Sequence, residues 1–168
     1  MDVFTAIEEG TGRKSAALLA AVGQPLTEAQ AAYVVACCHD DETRRARGGA
    51  WVVRTLLEKG RGQGLDLPRA FSALESASDW VVTFHLLQSI RYAPEVGALH
   101  EARVRSFLDH PRTALRVGSL DAFVHLAMLD ARLADEARAR VLAGGRDDMP
   151  SIRSRARRLA KELARIRR

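Results

Sequence analysis

Aromatic residues are scarce in this 168-residue chain, long apolar runs do not occur, and the first residues lack the pattern typical of a secretory leader. Aromatics make up only 5%, while Ala, Leu and Arg dominate, and this mix favours helices over β-sheets. No run of about 18 apolar residues exists, so we expect no membrane span. The acidic N-terminus lacks the basic start and apolar core of a signal peptide, so we expect a cytoplasmic protein.

Cysteine is equally scarce, and the two that occur, Cys37 and Cys38, are adjacent. Neighbouring helical residues point about 100° apart, so a disulfide between them would be strained. They lack the partners of a zinc site, and no metal-ligand spacing repeats along the chain. The glycine-rich stretch 60–64 lacks the Gly-Lys-Ser/Thr ending of a phosphate-binding loop. We therefore expect two reduced core cysteines, no metal and no cofactor.

The residues that are present indicate one folded domain, 1–168, with an uneven charge. Apolar residues make up 47% and charged residues 28%, which excludes a disordered chain. The net charge is +5; from Arg146 onwards nine Lys/Arg stand against three acids, leaving −1 for residues 1–145. This basic cluster suits an anionic partner. It equally suits a solvated last helix whose dipole favours cations near its end.

Hydrophobic periodicity, capping residues and Gly/Pro breaks predict helices throughout and no convincing strand. Thr27 with Gln30 predicts a capping box, Asp40 or Asp41 is expected to cap the next helix, and Asp66 precedes Pro68 at a further start. The predicted helices span 2–9, 13–22, 27–38, 41–58, 66–76, 79–92, 96–108, 111–129, 132–143 and 150–168.

A polar turn followed by a helix recurs along the chain, beginning near Asp40, Ser78, Asp109 and Asp147. Trp51, Leu87, Leu120 and Leu159 take similar places in these helices, at spacings of 36, 33 and 39 residues. A two-helix unit with such a period is typical of a solenoid. The short connections between helices predict antiparallel sequential neighbours.

These turn-plus-helix segments resemble HEAT repeats, over roughly residues 27–168. The match is carried by Asp147, Pro150, Ile152-Arg153, Ala156 and Leu159, and by Asp109, Pro111, Leu115-Arg116 and Leu120. The resemblance implies an all-α, right-handed α–α superhelix (solenoid) of about four to five HEAT-like helix pairs, with 1–26 as a degenerate capping pair. It also implies that the second helices line a concave, partner-binding surface.

Helical wheels place a candidate binding surface on these second helices. Trp51 falls opposite the apolar face of helix 41–58, among arginines, and Trp and Arg are enriched at binding hot spots. The alternative is that Trp51 packs against the neighbouring repeat. The predicted partner-binding residues are Arg44, Arg47, Trp51, Arg54, His85, Gln88, Tyr92, Arg112, Arg116, Phe123, Arg157, Lys161 and Arg165.

One pair of residues suggests catalysis, but a structural role accounts for it better. Asp121 and His125 are spaced i, i+4, as a base and its orienting carboxylate would be, yet no nucleophile can be placed beside them. In HEAT-like repeats, an Arg after the turn often pairs with an Asp of the adjacent repeat, which is also structural.

The sequence thus predicts a non-enzymatic binding module or scaffold, with an acidic protein or peptide in a basic, Trp-containing groove and no small-molecule substrate. The first alternative is nucleic-acid binding through the same surface. The second is a HEAT-like DNA glycosylase, a group that uses concave aromatic and Arg residues with an Asp. The predicted groove face offers no well-placed Asp for it.

Overall fold

The computed structural model describes residues 2–9 and 16–166, and within these ranges every regular element is a helix and no strand occurs. The α-helices are α1 (Val3–Glu8), α2 (Ala16–Ala21), α3 (Glu28–Cys37), α4 (Thr43–Glu58), α5 (Leu67–Ser76), α6 (Trp80–Ser89), α7 (Pro94–Gly97), α8 (Glu101–Ser106), α9 (Thr113–Leu129), α10 (Ala134–Gly144) and α11 (Pro150–Ile166). Short 3-10 helices follow α6 at Ile90–Tyr92, α7 at Ala98–His100 and α9 at Ala131–Leu133. The all-α prediction is therefore confirmed for the described residues.

Capping side chains begin several helices as predicted. Thr27 and Gln30 form both hydrogen bonds of a capping box at α3, and Asp66 accepts from the Arg69 amide at α5. The predicted cap of α4 is wrong, because Glu42 occupies that position and makes no side-chain capping bond. Asp40 instead accepts the amide hydrogen of Glu42 at 2.7 Å, so it shapes the turn before the helix.

The same turn precedes α4, α6, α9 and α11. Asp79 accepts from the amide of Val81 at 2.9 Å, His110 from Arg112 at 3.0 Å and Asp147 from Met149 at 2.8 Å. Each side chain thus satisfies an amide two residues later, which explains why the polar turn recurs in the sequence. We call Asp40, Asp79, His110 and Asp147 the turn edge.

The helices form two rows. Helices α4, α6, α9 and α11 pack side by side in chain order, and we call them the inner row. Helices α3, α5, α8 and α10 each pack on the inner-row helix that follows them. One continuous apolar core runs between the rows, from Val3 to Leu159. The predicted helix 96–108 is divided into α7, a 3-10 turn and α8. There His100 bonds Glu75 and Arg103 bonds the Leu74 carbonyl, which ties the segment to α5.

Close packing explains an unusual glycine and both cysteines. A Cβ on Gly49 would lie 2.7 Å from Cβ of Cys37 and 2.8 Å from the Val34 carbonyl oxygen, so α3 and α4 approach too closely for any side chain. Cys37 and Cys38 are buried, free thiols, as the sequence predicts. Burial raises the pKa of Cys37 to about 11 and that of Cys38 to about 12, which keeps both thiols protonated.

Candidate functional site: an arginine-lined cavity

A polar cavity of about 120 Å3 lies on the inner row, where α4, α6, α9 and α11 come together. Its walls carry four guanidinium groups, two carboxylates, an amide and a phenol. We call it the arginine cavity, and its lining residues are Arg54, Glu58, Gln88, Arg91, Tyr92, Asp121, Arg155 and Arg158. Of these, Arg54, Gln88 and Tyr92 belong to the surface predicted from sequence.

Asp121 is the buried anchor of this cavity. Its side chain is only 2% exposed, and Nη1 of Arg155 donates to its Oδ1 at 2.9 Å. Arg91 and Arg158 lie farther from the same carboxylate, at 3.7 and 3.9 Å. A carboxylate this deep must be paired, since an uncompensated buried charge is costly. Three arginines from two helical segments therefore converge on one aspartate.

Arg91 has the weakest contacts with acidic side chains among the cavity arginines. Its nearest carboxylate oxygens, on Asp121 and Glu162, lie at 3.7 and 3.9 Å, and it makes no hydrogen bond to any residue that the structure describes. Its guanidinium lies 5.4 Å from the ring centroid of Tyr92, which is 38% exposed. Arg91 thus keeps donors free for a ligand beside an accessible aromatic ring.

Acidic side chains hold the other arginines at the rim. Arg54 bonds Glu58 at 3.1 Å, and Arg158 bonds Glu162 at 3.1 Å. With Glu162 included, four arginines face three carboxylates, and the local net charge is +1. The cavity is therefore rich in hydrogen-bond donors but only weakly positive.

The catalytic pairing of Asp121 with His125 does not form through the carboxylate. His125 Nδ1 lies 2.7 Å from the main-chain oxygen of Asp121, which only accepts, so Nδ1 donates. The Nε2 atom faces Glu162 at 3.6 Å. This i, i+4 pair is thus a helix-internal bond, while the carboxylate of Asp121 belongs to the arginine cavity. The cavity thus contains an aspartate, but its carboxylate is buried and bonded to Arg155.

His85 and Gln88 stand one turn apart on α6 and are both half-buried. His85 Nδ1 and Gln88 Oε1 are buried atoms with no hydrogen-bond partner within the described part of the chain. Burial first, and the charge of Arg54 second, lower the pKa of His85 to about 4, so the imidazole is neutral at pH 7. Gln88 alone of the two lines the cavity.

Two predicted aromatic contacts are wrong. Trp51 is 6% exposed and Phe123 is fully buried, and both belong to the apolar core. Helix α4 packs on α1, α3 and α6, and α9 packs on both α6 and α11. A ring on the flank of such a helix is covered by the next helix, even though it lies away from the main apolar face. Neither ring can contact a partner in this conformation.

Four predicted arginines lie near the turn edge and are already engaged. Arg47 makes two hydrogen bonds to Asp79, at 2.7 and 3.1 Å, and Arg116 pairs with Asp147 at 3.3 Å. Each link joins an inner-row helix to the turn that precedes another helix of that row. Arg44 pairs with Glu42 at 2.9 Å. Arg112 lies 4.5 Å from the ring centroid of Trp80, an exposed tryptophan that is not part of the predicted binding surface.

The predicted basic stripe of the last helix does not join the cavity. Arg157 and Lys161 are exposed, but Arg157 lines a separate groove between α10 and α11. The side chain of Arg165 lies outside the described residues. The arginines of α11 that do reach the cavity are Arg155 and Arg158, which with Glu162 recur at i, i+3 and i+7. That spacing was a readable sign of a second polar face on α11.

These features define an all-helical protein with a donor-rich cavity on its inner row. Within the described residues, no cluster of His, Cys, Asp and Glu is arranged to hold a metal ion, and no helix is long and apolar enough to cross a membrane. No protein-family model matches the chain, and no curated protein or solved structure matches it either.

Proposed function

We propose that this chain is a HEAT-like α-solenoid that acts as a binding module, with the arginine cavity as the centre of its partner surface. The proposed architecture is supported by the helices of the inner row packing in chain order and by the repeated turn edge. The Arg47–Asp79 and Arg116–Asp147 links between successive units support it as well.

The proposed ligand is an acidic peptide segment of a partner protein. The observation that carries this proposal is Arg91, whose guanidinium has no hydrogen bond within the described chain and lies beside exposed Tyr92. A planar guanidinium binds a carboxylate through two parallel hydrogen bonds.

The test is fluorescence anisotropy with a labelled Asp/Glu-rich peptide. Arg91→Gln removes one cavity charge and leaves a shorter polar side chain, and we expect about tenfold weaker binding, which corresponds to about 1.4 kcal/mol. The matched control is Arg132→Gln, which removes the same charge from a side chain that is 82% exposed and paired with Asp130. Equal losses in both variants would show a non-specific charge effect and reject the cavity as the site.

Nucleic-acid binding is the second candidate, and it is favoured by the exposed basic residues Arg157 and Lys161 on the last helix. Phosphate contacts would make affinity fall steeply with salt, because each contact releases counterions. Replacing Arg157, Lys161 and Arg165 should flatten that dependence. An absence of oligonucleotide binding at low salt would remove this candidate.

A DNA glycosylase of the HEAT-like kind remains a third candidate because Asp121 lies in the arginine cavity near Tyr92. In its present geometry the carboxylate is 2% exposed and bonded to Arg155, so a base could reach it only after the arginines move. The test is release of alkylated purines from DNA by the wild-type chain and by Asp121→Asn. Equal release by both would exclude Asp121 as a catalytic residue.

A further inference from the structure

The two ends of the helical rows differ in how their apolar faces are covered. At the N-terminal end, α1 packs on α4: Ile7 is 1% exposed, and a Cβ on Gly48 would lie 3.2 Å from its Cγ2. At the other end, the face formed by α10 and α11 has no such cover within the described residues. Leu142 is 63% exposed there.

This uncovered face forms a groove of about 440 Å3 between α10 and α11. Its floor is aliphatic and its rim carries two arginines. We call it the end groove, and the residues that matter are Arg138, Val141, Leu142, Ala156, Arg157 and Leu163. An apolar floor with a charged rim is typical of a protein-docking surface.

Opposite charges mark the two ends of the chain. Residues 130–168 contain twelve Lys/Arg and six acids, a net charge of +6, while residues 1–42 contain two Lys/Arg and seven acids, a net charge of −5. Two end grooves brought face to face would repel each other. An end groove and an N-terminal end would attract, because complementary charge favours encounter and fixes orientation.

The acidic end also offers an apolar side chain. Leu19 on α2 is 38% exposed, and its neighbour Ala20 is exposed as well. Glu9 and Glu28, from the same part of the chain, are exposed and carry no ion pair to another described residue. The N-terminal end therefore offers an exposed apolar side chain and negative charge, which complement the aliphatic floor and the arginine rim of the end groove.

We propose that the protein associates head to tail, with the Leu19 face of α2 in one copy seated on the end groove of the next. Such an interface joins two different surfaces, so every pair retains one free groove and one free α2, and further copies can add. The arginine cavity takes no part in this contact. Self-association therefore stands or falls independently of the proposed ligand binding.

Sedimentation velocity over a rising concentration series tests this proposal. The wild-type chain is expected to exceed the monomer mass at high concentration and to return towards it as salt is added, because salt screens the opposed charges. Leu142→Glu and Leu19→Glu each spoil one half of the contact, so each alone should remain monomeric. The matched control Leu99→Glu, at a position 73% exposed between α7 and α8, should associate like the wild type.

An equimolar mixture of Leu142→Glu and Leu19→Glu is the decisive arm. One variant keeps its α2 face and the other keeps its end groove, so the mixture should form a dimer and nothing larger. This recovery also shows that both variants are folded. A wild-type chain that is monomeric throughout overturns the proposal. So does association by Leu19→Glu alone, which would reveal a groove-to-groove pair, or a loss of association in Leu99→Glu.

Discussion

The turn edge and the arginine cavity both use aspartates to hold arginines across neighbouring helices, but they do so in different proportions. At the turn edge, Asp79 receives one guanidinium, from Arg47, and Asp147 receives one, from Arg116. In the cavity, Asp121 is approached by three. Matched pairs clamp helices together and leave little for a ligand, whereas a surplus of guanidinium groups leaves donors free. The proposed ligand binding rests on these free donors, not on the number of arginines.

Exposure separates the two regions as well. The side chains of Asp79 and Asp147 are 18% and 22% exposed, and each also accepts an amide hydrogen from its own turn. Asp121 is 2% exposed, and its carboxylate pairs with arginine side chains. The turn-edge aspartates are thus parts of local structure, while Asp121 depends entirely on residues brought from other helices.

The largest expected loss of stability comes from a change in the apolar core, which packs beneath both the turn edge and the arginine cavity. Trp51→Ala should lower the free energy of unfolding by about 3–5 kcal/mol, because a buried aromatic ring leaves a cavity. Trp80→Ala is the control: that ring is 37% exposed, so its loss should cost under about 1 kcal/mol. Urea unfolding measures both. Similar small losses in the two variants would contradict the burial of Trp51.

The next prediction compares the aspartates directly. Asp121→Ala breaks a buried pair and should cost about 3 kcal/mol, at the lower end of the usual range because its arginines are partly exposed. Asp79→Ala removes a helix cap and a partly buried ion pair, and should cost about 1–2 kcal/mol. Asp135→Ala, at a side chain that is 98% exposed, controls for loss of negative charge. Equal losses of unfolding free energy in Asp121→Ala and Asp79→Ala would contradict the distinction between the arginine cavity and the turn edge.

His85 links the two regions, because Arg54 lowers its pKa and Asp79 raises it, beneath the larger effect of burial. The folded imidazole stays neutral down to about pH 4, while the unfolded one takes a proton below its ordinary value of 6.5. The unfolded state therefore binds more protons between these values, so stability is complete above pH 6.5 and falls as the pH drops towards 4.

The expected size of this loss is about 3 kcal/mol, because a slope of at most about 1.4 kcal/mol per pH unit acts from pH 6.5 down to about 4. Unfolding free energies of the wild type and His85→Leu across this window measure it, and the variant should show the flatter profile. Asp79, whose pKa is lowered, acts at lower pH, below its ordinary value of 3.8. Parallel profiles for the two proteins would show that His85 titrates normally.

The smallest expected effects test whether the cavity has guanidinium groups that the fold does not need. Arg47→Gln loses two hydrogen bonds to Asp79 and should cost about 1 kcal/mol. Arg91→Gln loses none within the described chain, and its stability should stay within about 0.5 kcal/mol of wild type. Thermal unfolding of the wild type and both variants measures these differences in stability. A clear loss of stability in Arg91→Gln would mean that this arginine is a structural clamp like Arg47.

Local chemistry accounts for what could be predicted. Thr27, Asp66 and Asp79 cap the helices that follow them, and Gly60, Pro94 and Pro150 lie at breaks, because capping and backbone restriction act within a few residues. The helical class and most helix boundaries follow from such signals. The division of the predicted helix 96–108 does not, since its contacts are made to α5.

The candidate site could be predicted only in part, because a helical wheel gives the direction of a side chain but not what covers it. Arg54, Gln88 and Tyr92 do meet, whereas Trp51 is covered by a flanking helix and Arg157 turns to the end groove. The convergence of Arg91, Asp121 and Arg155 depends on the register between three helical segments. The sequence by itself thus determined where helices begin, end and carry charge. Only the tertiary structure decided which charges meet and which rings are buried, because both depend on how one helix is placed against the next.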